Sequence, residues 1–167
     1  DLILTPTGLW HEHGHDGTDP VVWLDVLDLP LVYYMEASYH INGERQTVKP
    51  HRGDVQNTRS GVAPTRMFNR SDKSYPMLRY PWVDTKAALQ ALAKDDPAQA
   101  CVQVTYVNPE TGGNAENILG FYALMLRPGQ TLRLPARSPA QVFHVIEGRV
   151  EAQIVDRTFL VMQGNHH

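Results

Sequence analysis

At 167 residues the chain has room for one domain or one and a half, and with 42% apolar residues it can pack a core. Its 18 acids and 15 basic residues are scattered without a basic block, which argues against a nucleic-acid backbone as partner. The single cysteine, Cys101, excludes an internal disulfide and fits a reducing compartment. Apolar runs are too short to span a bilayer, and no signal-peptide pattern is present, so the expectation is a soluble cytoplasmic protein.

Strand signals dominate both ends. Residues 2–4 read as a short strand running into a turn at Pro6 and Gly8, and 10–13 as an extended segment broken by Gly14-His15-Asp16-Gly17. Residues 21–27 are almost continuously apolar with Asp25 inside them, the pattern of a strand covered on both faces. From 38 to 74 the chain is polar and lacks any period, as in a connection between domains. Residues 84–94 form the one clear helix, with Asp84 as cap, Asp95-Asp96-Pro97 as stop, and an apolar stripe of Ala88, Leu89 and Leu92.

Alternation returns at 101–107, which sets Val102, Val104 and Tyr106 on one face and Gln103 and Thr105 on the other. A turn at 108–113 follows. Further strands are expected at 121–126, 131–134, 141–147 and 150–155, then at 158–161 after a tight turn at Asp156-Arg157. Many short strands between turns point to an antiparallel sandwich or jelly-roll barrel. Asp1 opens directly into an apolar run, and Gly164-Asn165-His166-His167 stops inside an unfinished element. Both ends are therefore expected to be truncations of a longer chain.

Two spacings add chemistry to this pattern. Pro6-x-Gly8-x-x-His11, with His15 four residues later, has the layout of the second cupin motif, in which the position of His11 binds metal. His15 stands where that motif usually has Asn. Gly129, five residues, Pro135-x-Arg137, three residues, Gln141, six residues, Gly148 has the full spacing of the first cupin motif. Its three ligand positions here hold Pro135, Arg137 and Gln141. Proline offers no side-chain donor atom and arginine stays protonated, so this copy is expected to be metal-free. A second motif followed by a first motif implies the end of one cupin and the start of the next. The expected fold class is thus all-β: a bicupin of jelly-roll barrels, seen as a fragment with one helix in the connection. Its parts would be 1–37, the metal-site half of the first cupin; 38–97, the connection; and 98–167, the start of the second, metal-free cupin.

With Trp23-Leu24-Asp25-Val26-Leu27-Asp28-Leu29-Pro30, Leu78-Arg79-Tyr80-Pro81-Trp82 and Tyr106-Val107-Asn108-Pro109-Glu110-Thr111-Gly112-Gly113, the chain resembles the gentisate 1,2-dioxygenase family over nearly its whole length. Relatives in that family cleave salicylate and 1-hydroxy-2-naphthoate. The resemblance implies Fe(II) held by three histidines, two of them upstream of Asp1, and ring opening of a 2-hydroxybenzoate by O2. It also implies a homo-oligomer, a tetramer, with a small aromatic acid and O2 as partners and neither nucleic acid nor membrane.

His11 is then the metal ligand. Two residues on, His13 shares its strand face and by resemblance contacts the substrate or oxygen. An acid inside an apolar strand is costly unless paired. Asp25 would therefore orient a histidine of the site, or else pair with an arginine at the barrel rim. The family commonly has glycine where Val26 stands. Trp10, Trp23 and His144 read as core, Arg79, Tyr80 and Trp82 as fixing the entry to the helix, and His40 and His51 have no role. A non-catalytic cupin binding a small carboxylate, or a cupin sugar-phosphate isomerase with a Glu ligand, are the competing readings. Neither accounts for LRYPW or YVNPETGG.

Overall fold

The computed structural model describes residues 1–5, 11, 13–41, 43, 79–109 and 111–163. Regular elements among them are β1 (Leu2–Ile3), α1 (Leu29–Tyr34), β2 (Arg79–Tyr80), α2 (Trp82–Asp95), β3 (Cys101–Thr105), β4 (Tyr122–Leu126), β5 (Arg149–Ile154) and β6 (Arg157–Met162). They fall into two compact units, Asp1–Asp16 with Val26–Leu132, and Gly17–Asp25 with Arg133–His167. No helix among the described residues is long and apolar enough to cross a membrane.

In the first unit the alternation at 101–107 does what its period dictates. β3 pairs antiparallel with β4, matching Val102 to Met125 and Val104 to Ala123. One face of this ribbon carries Val102 and Ala123 into a cluster with Leu89 and Ala93 of α2, while Gln103 and Thr105 face solvent. The helix buries Thr85, Leu89 and Ala93. The expected stripe was Ala88, Leu89 and Leu92, but Ala88 is exposed and Leu92 is 42% exposed. Small Ala93 faces the ribbon and lets helix and sheet approach closely, which rotates the buried stripe away from Leu92. Leu89, only 2% exposed, is the centre of this core; truncation of such a leucine to alanine costs about 2–5 kcal/mol.

A second cluster joins distant segments. β1 pairs antiparallel with β2, Leu2 opposite Tyr80 and Ile3 opposite Arg79. Leu4, Tyr80 and Ala115 are buried together, with Leu2, Tyr106 and Phe121 packed against them. The Tyr80 hydroxyl donates to the Val107 carbonyl at 2.9 Å, and its ring meets Tyr106 edge-on at 5.4 Å. The turn after β3 is closed by the Asn108 carbonyl, which accepts from Thr111 and Gly112 N–H; Gly112 has φ 70°, a value glycine adopts without cost. Helix α2 starts at Trp82, two residues before the expected boundary, behind Pro81 as N-cap. Asp84 lies in its first turn, and the carboxylate that accepts from the Trp82 N–H belongs to Asp1, a non-local cap that local sequence does not reveal.

Helix α1 was not expected from the sequence. Its signal is Pro30 at the start, a residue suited to the first helical turn. It closes with Glu36 N–H to Tyr33 O and Ala37 N–H to Val32 O, the double bond of a Schellman ending, with Glu36 at φ 53°.

In the second unit β5 and β6 form a hairpin with six residue pairs, closed by Val155 and Asp156. The expected strands at 131–134 and 141–147 do not form, and neither does the one at 21–27. Residues 21–27 are exposed throughout, Trp23 at 54%, and His144 is exposed too, so neither of these is the core residue expected. A strand needs a neighbour to take its N–H and C=O groups. Among the described residues these three segments join no strand ladder. Trp10 and His51 lie outside the described residues, as does most of the 38–74 stretch.

Candidate functional site

His11 and His13 lie in the first unit, both exposed, with ring centroids 5.9 Å apart and planes at 81°. Glu12 between them is outside the described residues. The edge-on arrangement keeps the two imidazoles near each other without stacking. His15 is exposed, and no regular element covers 13–16.

Asp25 belongs to the second unit and is exposed, without the strand that would have made its burial costly. Val26, at the family's glycine position, is 44% exposed.

The donor set can be tested against a histidine-bound iron by its chemistry. Neutral imidazole suits Fe(II), so His11 and His13 match in kind. Among the described residues no group of three or more His, Cys, Asp or Glu comes together to hold an ion. The two imidazoles are donors of a suitable kind, and among the described residues they are not part of a complete donor set.

In the later motif Gly129 and Gly148 adopt φ 70° and 85°, where glycine is the least strained residue. These two glycines keep their turn-forming task while Pro135, Arg137 and Gln141 are all exposed.

Another polar region escaped sequence reasoning. An open depression of about 560 Å³ is lined by Asn108, Thr111, Asn114, Glu116 and Asn117, among others. Burial, then the negative charge of Asp28, pushes the Glu116 carboxyl up from its ordinary range. Burial, then Glu116, likewise raises the Tyr80 phenol. Burial also raises the Cys101 thiol, against a smaller opposing effect of the Met125 backbone. The segment Asn114-Ala115-Glu116 gave no sequence signal beyond following a glycine turn. Only the fold shows that Ala115 is 3% exposed and brings Glu116 near enough for its charge to be felt by Tyr80.

No family profile matches the chain. Its sequence is 75% identical over 165 residues, 99% of the chain, to a gentisate 1,2-dioxygenase of Ralstonia sp., of which it covers 46%. It is 35% identical over 152 residues to a 5-aminosalicylate 1,2-dioxygenase of Comamonas sp., covering 89% of the chain and 40% of that protein. The chain therefore spans just under half the length of these curated relatives. Among solved structures, a salicylate 1,2-dioxygenase from Pseudaminobacter salicylatoxidans matches with a TM-score of 0.58 and 22% identity, over 82% of this chain and 42% of that one. That likeness shows the fold: the sheet-rich cupin fold expected from the paired motifs.

Proposed function

We propose, from a kinship with the gentisate 1,2-dioxygenase family that covers 99% of the chain, that this is part of an iron-dependent, extradiol-type ring-cleaving dioxygenase. Its substrate is gentisate (2,5-dihydroxybenzoate), its co-substrate O2 and its product maleylpyruvate, into which both oxygen atoms pass. The observation that carries this reading is the 75% identity over 165 residues.

His11 holds Fe(II) through a neutral imidazole, beside two histidines supplied by the first cupin motif upstream. Bound there, Fe(II) supplies a template for substrate and O2 and a path for electrons between them. His13, on the same side of the backbone, faces the substrate or oxygen and can take the proton that a ring hydroxyl releases on binding. Asp25 is carried over as a catalytic candidate on the family resemblance alone. Residues 1–37 belong to the first cupin, 38–97 to the connection and 98–167 to the metal-free second cupin. The family reading extends to a cytoplasmic homo-tetramer.

The relative acting on an aminosalicylate keeps salicylate-type substrates as a second reading. Gentisate carries a second ring hydroxyl that enriches the ring and eases oxygen attack, which favours it. The complete enzyme should turn over gentisate ahead of salicylate and 1-hydroxy-2-naphthoate; activity confined to either of the latter would overturn the choice. His11→Ala should lose iron and turnover together. His13→Ala should keep most iron while losing about 10–100-fold in activity. The reverse pattern would show the register to be off by two residues.

A further inference from the structure

We draw no further inference here: the strongest candidate, the open polar depression beside the turn after β3 where Glu116 feels the charge of Asp28, rests on an acidic pair and the raised titration of Glu116 alone, and nothing among the described residues shows what would bind there.

Discussion

Replacing Arg127 with alanine is expected to unlock the C-terminal turn of α2. The Arg127 Nε donates to the Gln99 carbonyl at 2.8 Å, and a terminal nitrogen donates to the carbonyls of Ala93 and, at 3.2 Å, Asp96. One guanidinium thus satisfies helix-end acceptors that lack intrahelical partners. Hydrogen bonds to a charged group contribute about 1.5–3 kcal/mol each when deleted. Asp96 and Gln99 lie near enough to the surface for water to replace most of that, whereas Ala93 is 8% exposed and its carbonyl has less access. Adding about 0.3–1 kcal/mol for a cation at the negative end of the helix dipole gives a net loss of roughly 2–3 kcal/mol. At about 1.4 kcal/mol per factor of ten, amide hydrogen exchange in the last turn of α2 and at Asp96 N–H should quicken roughly 30- to 150-fold. Mass spectrometry on the parent and variant would measure this peptide by peptide. Arg127→Lys should recover only part, because one ammonium cannot span three carbonyls in the same plane. Acceleration below about threefold in Arg127→Ala would show that the guanidinium bonds are energetically idle and that the Leu89 core alone holds the helix.

Val155 has φ 56° at the first of the two central turn positions of the β5–β6 hairpin, where hairpins of this length often place glycine. It is 90% exposed, so Val155→Gly loses no packing. Relief of about 1–2 kcal/mol of left-handed strain, against about 0.5–1 kcal/mol of added chain entropy, should stabilise the fold by a net of about 0.5–1 kcal/mol and so raise the denaturation midpoint; a lower midpoint would refute the strain argument. For Glu116 the sign follows from its raised folded-state value: between the unfolded and folded titrations the native chain holds the extra proton, so stability falls as pH rises through that window. Glu116→Gln should therefore melt higher than the parent at pH 7, with the gap closing toward pH 4, and a gap that widens on acidification would reverse the assignment.

The legible parts of this molecule are those whose partners lie close in sequence. The strand at 101–105, its partner at 122–126 and the hairpin of β5 with β6 all sit within a residue or two of where alternation and turn residues placed them. The two motif glycines, Gly129 and Gly148, were readable because spacing identified them and their positive φ explains why glycine stands there. Asp84 was the natural local choice of cap for α2. The boundary was missed because the carboxylate at Trp82 arrives from Asp1, 81 residues away in sequence. The same distance hid the Leu4, Tyr80 and Ala115 cluster, whose members carry no shared period.

An alternating or continuous apolar run is a claim about neighbours as much as about its own backbone. Residues 21–27 contain Val21, Val22, Trp23, Leu24, Val26 and Leu27, side chains that lose most by facing water, yet each is 44–64% exposed. The pattern specifies a layer to cover them, and the described residues supply none. The same holds at β6, where Phe159 and Leu160 are 44% and 59% exposed on a well-paired hairpin. Backbone pairing and face burial are separable there: the turn and ladder close locally, while the face waits on a second sheet, as sandwich and barrel folds require. The histidines follow the same logic. The rings of His11 and His13 lie 5.9 Å apart, a nearness their two-residue spacing allows. Completing a metal centre needs ligands from other strands, and that information is carried by the covering layer, not by the segment from His11 to His13.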